Sequence, residues 1–220
     1  PPDLKIPAGA IRPIGPLSTH WYAQGTNGMV YLQAVLDLPA LEPDELDLLP
    51  LYCACLTEVG SAGRDYRATQ ALQAAVTGGL NARVNARGGV DDVHRVKGVL
   101  ALAGKALARN QAALSDLLWE SLTEVHFDER PRLRELVAQI RAQREESITD
   151  HGHLLALAAA SAALSPVATL NHRWDGMLGL KTLKALDRSL EDEDALRDFA
   201  ARLTRLHERL RDAPKQLLVV

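Results

Sequence analysis

Aromatic residues and cysteines are scarce in this chain of 220 residues, and each scarcity argues against a class of function. Phenylalanine, tryptophan and tyrosine together make up 4% of the sequence, too few for the platforms on which nucleic-acid bases stack. A formal net charge of −3, with dispersed lysine and arginine, gives no reason to expect a nucleic-acid partner or an anionic membrane surface. Two cysteines build no disulfide framework, so cysteine usage leaves the redox compartment open and favours the cytoplasm.

Long apolar runs are also missing. The longest uncharged candidate, Leu154 to Leu164, is alanine-rich and shorter than the roughly 20 residues that span a bilayer, so we expect no membrane partner. A signal peptide and an initiator methionine are absent, and the chain ends on the apolar stretch 217–220, which is typical of a strand. We therefore expect an excised piece of a longer polypeptide, with its terminal strand truncated.

Strand patterns occur in three parts of the sequence. Apolar side chains alternate with polar ones over 28–38, and again over 80–87, where a glycine-rich turn leads to a second apolar strand over 94–103. In the first hairpin strand, Ala82, Val84 and Ala86 should face the core. The closely spaced prolines of residues 1–25 predict an extended lead-in segment without regular structure.

Helical patterns fill most of the remaining chain. An acidic first turn at Pro43 opens a helix that should stop at Gly60, with Pro50 expected to kink or break it. Further helices are predicted over 65–76, in several segments from Asn110 onward, and after Pro166. The order predicts one α+β domain over 26–220, with a mainly antiparallel sheet and helices packed on one face.

The two cysteines lie in the first of these helices. Residues two apart on a helix point about 200° apart, so Cys53 and Cys55 cannot ligate one metal or form a relaxed disulfide there. Zinc would require further ligands in a Cys-x-x-Cys or histidine pattern, and the neighbouring sequence has none. We interpret both residues as small hydrophobic groups in a packed helix.

Two histidine-containing stretches are the other candidate metal sites. His151 and His153 could share a metal if the backbone were extended, with Glu145, Glu146 or Asp150 as a third ligand, but a hydrogen-bonded helix junction is favoured. The stretch that begins at His126 resembles the zinc motif His-x-x-Glu-His but ends in arginine, so one ligand is missing. No complete catalytic constellation is present.

A series of short stretches follows one order and spacing along the chain. They are Thr26 to Tyr31, Asp37-Leu38, Glu45 to Leu51, Leu56 to Gly60, Asp65-Tyr66, Thr77 to Gly79, Lys105 to Asn110, Leu117 to Phe127 and Asp150 to His153. In this arrangement they resemble the third domain of presequence-protease-type metallopeptidases, the long single-chain branch of the pitrilysin/insulinase family. The resemblance extends from about Thr26 to Leu210.

The resemblance implies a clamshell enzyme of four related α+β domains that closes over an unfolded peptide. Zinc would lie in the catalytic first domain, and the third domain repeats the fold without a metal, so this chain would hold no cofactor. Alignment on Gly60 places Leu51 and Cys55 at the histidine positions, Ala54 at the catalytic glutamate and Gln139 near the distal glutamate ligand. These degenerate positions cannot supply zinc hydrolysis, so we expect no catalytic residue and no proteolysis by the chain alone.

Three functions follow as hypotheses. The first is a non-catalytic domain of a zinc metallopeptidase that degrades unfolded peptides. It would form part of the chamber wall and pack against other domains of the same polypeptide. The second is a free-standing scaffold or adaptor that uses the same fold for protein contacts. The third is an enzyme with its own metal at His151 and His153.

Overall fold

A six-stranded sheet and a layer of helices form the fold of the computed structural model, which describes residues 9–220. The strands are β1 (Ala10–Ile14), β2 (Leu17–Trp21), β3 (Met29–Asp37), β4 (Leu80–Gly88), β5 (Val96–Leu107) and β6 (Lys215–Val219). Their order in the sheet is β1-β2-β6-β3-β5-β4, and every described pair is antiparallel except β2 with β6. The predicted α+β fold with a mainly antiparallel sheet is confirmed.

Two of the described α-helices lie between β3 and β4 in the sequence, and six lie between β5 and β6. The α-helices are α1 (Pro43–Leu56), α2 (Tyr66–Val76), α3 (Gln111–Thr123), α4 (Arg130–Glu146), α5 (Ile148–Ser161), α6 (Pro166–Trp174), α7 (Met177–Ser189) and α8 (Glu193–Arg211). The last helix carries an apolar stripe at spacings of three and four, and that stripe is buried. It enters the same core as α1, α3 and α4.

The two faces of the sheet differ because successive side chains of a strand point to opposite sides. Leu36 on β3 and Leu100 on β5 lie opposite each other in the register and are almost completely buried beneath the helices. On β4, the predicted alternation is confirmed, since Ala82, Val84 and Ala86 pack against the core while Arg83 and the other intervening residues are exposed. We call these two sides the covered face and the open face.

Helix α1 continues through Pro50, so the prediction of a kink or break in two pieces is corrected to one continuous helix. Proline has no backbone N–H, which leaves the carbonyl oxygen of Leu46, four residues earlier, without its helical donor. The indole Nε1 of Trp174 donates a hydrogen bond to that oxygen at 2.8 Å. A side chain from α6 therefore satisfies the carbonyl that Pro50 leaves free, and the helix stays intact.

Residues 10–21 form a hairpin, contrary to the predicted lead-in segment without regular structure. Strand β2 joins the sheet through parallel pairing with β6, which leaves β1 as an edge strand. An edge strand tolerates Pro13 because one side of its backbone needs no ladder partner. Residues 1–8 of the predicted segment lie outside the described residues.

Candidate functional site

The cysteine helix α1 lies in the centre of the core rather than on its surface. Its buried residues cover nearly half of the helix circumference, with the two cysteines near the edges of that arc, and are Leu48, Leu49, Tyr52, Cys53, Cys55 and Leu56. This distribution explains why two cysteines on opposite sides of one helix are both buried. The pKa of each thiol is raised to about 12, chiefly because burial disfavours the thiolate.

The four positions aligned with a zinc site are not brought together as a ligand set. Cys55 is fully buried, Leu51 and Ala54 are half-buried, and Gln139 lies on an exposed part of α4. The side chains of α4 that enter the core with Cys55 are apolar, among them Leu133 and Val137. A single protonated thiol among hydrocarbon side chains does not fit a zinc ion, which requires several nitrogen, oxygen or thiolate donors.

A buried polar pair adjoins the cysteines and was not predicted from the sequence. The hydroxyl of Tyr52 on α1 lies 2.8 Å from Nδ1 of His207 on α8, and the ring of Phe127 lies about 6 Å from both rings. Burial lowers the pKa of His207 to about 4, with the positive charge of Arg211 as a smaller cause. Burial also raises the pKa of Tyr52, so both rings are neutral at pH 7. Nε2 of His207 is buried without a hydrogen-bond partner among the described residues.

The loop after α1 is held by the stretch that resembled an incomplete zinc motif. Both carboxylate oxygens of Glu129 accept backbone N–H groups, that of Gly60 in this loop at 2.8 Å and that of Tyr66 at the start of α2 at 3.0 Å. Nε2 of His126 lies 3.1 Å from the carbonyl oxygen of Arg64, and its Nδ1 lies 2.5 Å from Asp128. These residues therefore connect α1, α2 and α4 structurally.

Gly60 is required at the closest point of this loop. A Cβ at that position would lie 2.4 Å from the carbonyl oxygen of Arg64 and 2.6 Å from Cε1 of His126. Helix α1 ends at Leu56, so the predicted helix stop at Gly60 is corrected: this glycine lies in the following loop and permits it to pass against the His126 ring.

The His151 and His153 pair lies at a bend at the start of α5. His151 has non-helical backbone angles, its Nδ1 lies 3.2 Å from the carbonyl oxygen of Ser147, and both imidazoles are exposed. Glu145, one of the possible third ligands, forms ion pairs with Arg141 and with Lys184. Within residues 9–220, no group of three or more histidine, cysteine, aspartate or glutamate side chains is arranged to hold a metal ion.

The open face of the sheet is a polar surface that the topology creates. On three of the strands, the side chains of this face alternate with those of the core and are Tyr31, Gln33, Val35 and Asp37 on β3, Lys97, Val99, Ala101, Ala103 and Lys105 on β5, and Asn81, Arg83, Asn85 and Arg87 on β4. The small residues of β5 lie between longer side chains of the flanking strands, which produces a trough. At one end of this trough is a cavity of about 480 Å³ lined by Tyr31, Gln33, Asn81 and Lys105.

An apolar groove lies on the opposite side, between α3 and the strands near the first hairpin. It has a volume of about 410 Å³ and is lined mainly by apolar side chains, among them Trp21 and Trp119. Two of the three tryptophans in the chain therefore line one groove. Trp119 is 52% exposed, which is unusual for so large an apolar side chain.

In the described residues, no helix is long and apolar enough to cross a bilayer.

A family model for the domain associated with subfamily C of the M16 peptidases matches residues 4–186. The chain is 29% identical over 183 residues to "Presequence protease, mitochondrial" of Danio rerio, covering 82% of this chain and 18% of that protein. It is 28% identical over 199 residues to the protein of that name from Xenopus tropicalis, covering 90% and 19%. "Presequence protease 1, chloroplastic/mitochondrial" of Arabidopsis thaliana is 26% identical over 171 residues, covering 76% and 16%. These names place those proteins in organelles and lend no support to the predicted cytoplasmic location.

One solved structure shares the fold. It is entitled "Crystal structure of a conserved protein from Enterococcus faecalis V583", with a TM-score of 0.63 and 11% identity. The match covers 96% of this chain and 48% of that one. The chain spans less than a fifth of the length of the curated relatives described above. Because the family model matches most of the sequence, the chain belongs to the family of domains associated with subfamily C of the M16 peptidases.

Proposed function

We propose that this chain is a non-catalytic wall domain of a peptide-degrading chamber, with the open face of its sheet turned toward the peptide. The observation that carries the proposal is the one-sided coverage of the sheet. Helices bury the covered face, while the open face keeps exposed polar side chains around the trough along β5. A sheet with one solvated face is suited to line a water-filled space that receives peptide.

The names of the relatives indicate the reaction to which the domain would contribute. Their printed names describe presequence proteases, so the proposed substrate of the complete enzyme is an unfolded presequence-like peptide. Zinc would be held in another domain, because the positions Leu51, Ala54 and Cys55 of this chain do not fit a zinc ion. The role of this chain is therefore to confine and orient peptide, without a chemical step of its own.

The apolar groove supports the second part of the proposal, which is packing against a neighbouring domain of the same polypeptide. An exposed tryptophan beside a concave apolar surface is typical of the central contacts of protein interfaces. Trp119 and Ile14 are half-exposed at this groove, on the side away from the open face. The same domain can therefore contact a neighbour through the groove and peptide through the sheet.

Site-specific photo-cross-linking tests which surface meets peptide. A benzophenone amino acid replaces Tyr31 on the open face or, as the control, Met177 at the start of α7; the two native side chains are 44% and 46% exposed. We expect an unfolded, uncharged peptide to form adducts at position 31 in clear excess over position 177, and to remain uncleaved when zinc is added. Equal adducts at both positions, or zinc-dependent cleavage, would contradict the proposal.

The adaptor alternative remains a prediction. An adaptor that binds folded proteins would give no peptide adduct at position 31, so the same experiment distinguishes the two functions.

A further inference from the structure

We propose that the open face selects peptide segments that carry acidic side chains, with Arg83, Arg87 and Lys105 as the groups that bind their carboxylates. The proposal rests on the wall-domain function and adds the chemical class of the segment. It concerns an extended peptide lying along the trough above β5.

The open face has an excess of positively charged side chains. On β3, β4 and β5, four cations, Arg83, Arg87, Lys97 and Lys105, share this face with one carboxylate, that of Asp37. Asp37 lies 3.6 Å from the ammonium group of Lys97. Among the described residues, Arg83, Arg87 and Lys105 lie within ion-pair distance of no carboxylate. The face is therefore positive although the whole chain carries a formal charge of −3.

The register places two of these cations where they repel each other. Arg87 lies directly opposite Lys97 across the β4–β5 ladder. Like charges opposite each other destabilise a sheet, and a single carboxylate at Asp37 offsets only one of them. An acidic group from a ligand would relieve this repulsion, so the pair favours binding of an anion over the empty face.

The shape of the trough indicates an extended segment. Ala103 and Ala101, the latter only 3% exposed between its neighbours, form its floor, Arg83 and Asn81 lie opposite them on β4, and Gln33 lies on β3. Arg83 and Arg87 are four residues apart on one strand, which separates their backbone positions by about 13 Å. An extended peptide lying parallel to the strand would present side chains at the same interval when its acidic residues are also four apart.

Lys105 is held at the cavity end of the trough. The N–H of Gly78 donates to the carbonyl oxygen of Lys105 at 2.7 Å, and the lysine side chain lies over this glycine. A Cβ at Gly78 would lie 3.1 Å from both Cγ and Cε of Lys105, so a larger residue would displace the side chain. Tyr31, Gln33 and Asn81 line the same cavity as Lys105 and offer further hydrogen bonds to a carboxylate.

The proposal has a consequence for presequence-like substrates, which are rich in arginine and poor in acidic residues. The open face would repel their basic stretches and hold neutral or acidic stretches, which sets the register of the peptide in the chamber. Because the cations are exposed, the selectivity should be strong at low salt and weak at high salt.

Binding of three matched peptides to the purified chain tests this proposal by fluorescence anisotropy. Each peptide is short, unstructured and identical except at two positions four residues apart, which carry glutamate, glutamine or lysine. We expect the glutamate peptide to bind about tenfold more tightly than the glutamine peptide at low salt, a ratio that high salt removes. The lysine peptide should bind least. Equal binding of the three peptides would overturn the proposal.

One double variant and one single variant locate the effect on the open face. Arg83→Glu with Arg87→Glu should abolish the preference for the glutamate peptide, and Lys105→Gln alone should reduce it. The matched control is Arg188→Glu with Arg205→Glu, which makes the same charge change at exposed positions of α7 and α8. Equal loss in the control would show a net-charge effect and overturn the assignment.

Two further outcomes also count against the proposal. Binding of a short single-stranded DNA as tightly as the glutamate peptide would show a general polyanion surface. Adducts of the uncharged peptide at position 31 without any preference for glutamate would leave the wall function in place and remove only this inference.

Discussion

The covered and open faces belong to the same strands but have opposite requirements. On β5, Leu100 and Leu102 are almost completely buried by helices, whereas Lys105 is exposed beside a cavity. Because neighbouring residues of a strand point to opposite sides, alternate positions can serve stability and recognition independently. A substitution on the covered face should therefore affect folding with little effect on peptide binding, and a substitution on the open face should do the reverse.

The largest expected effect is on the covered face. Leu102 is completely buried, so Leu102→Ala should lower the free energy of unfolding by about 2–5 kcal/mol through lost burial and the cavity left behind. Urea denaturation measures this change. Lys105→Ala, on the open face of the same strand, is the matched control and should cost under about 0.5 kcal/mol. Similar losses at both positions would show that the two faces are wrongly assigned.

The stability provided by the covered side should also depend on pH, because His207 is buried there. The pKa of His207 is about 4 in the folded state, below its ordinary value of 6.5. Between those values the unfolded chain binds a proton that the folded chain does not, so stability falls as the pH falls from 6.5 toward 4. Between pH 6.5 and 5 the loss should reach about 2 kcal/mol.

Urea denaturation at several pH values separates this effect from other groups. His207→Gln should unfold more easily at pH 7 but should lose less stability than the original chain between pH 6.5 and 5. Carboxylates titrate mainly below this window, which is why the comparison stops at pH 5. Identical pH slopes for the two proteins would contradict a buried neutral His207.

Local sequence patterns predicted the elements whose environments are simple. The alternation in β4 indicated a strand with one wet face, and the stripe on α8 indicated a helix with one buried side, since both patterns follow directly from backbone geometry. The first hairpin was missed because proline spacing gives no information about pairing with β6 at the far end of the chain. Pro50 was expected to kink or break α1. The sequence could not show that the helix continues, because the compensating hydrogen bond comes from Trp174, more than a hundred residues later.

The candidate sites show the same limit. The sequence indicated that the cysteines are packed hydrophobic groups, and the structure places both in the core. It gave no sign of the Tyr52–His207 pair, since the two residues are 155 positions apart. Glu129 was considered only as part of an incomplete metal motif, although its carboxylate holds the loop after α1 through two backbone N–H groups. Contacts between distant segments are set by tertiary packing, which local periodicity does not encode.

A smaller effect is expected at the cysteines. Cys55→Ala should destabilise the chain by about 1 kcal/mol, because it removes one small buried group from α1. A thiol reagent should label Cys53 and Cys55 slowly in the folded chain and rapidly in denaturant, since burial blocks access and raises the pKa of both thiols. Each cysteine should be followed in a variant that lacks the other. Fast labelling of the folded chain at neutral pH would show an accessible thiolate and would contradict the packed-helix interpretation.

The smallest expected effect is at Arg83, which lies next to Val84 in sequence but on the other face of β4. Arg83→Ala should change the free energy of unfolding by less than about 0.5 kcal/mol, because the side chain is exposed and has no ion-pair partner in the described part of the chain. Val84→Asp should cost several times more, since it would place a charge against the apolar side chains of the core. Urea denaturation of both variants at neutral pH gives the two values. A near-zero change at Arg83 together with weaker binding of the glutamate peptide would show that the open face is maintained for recognition. A loss at Arg83 as large as that at Val84 would instead mean that this arginine stabilises the fold. It would contradict the claim that the covered face of β4 serves stability while its open face serves peptide binding.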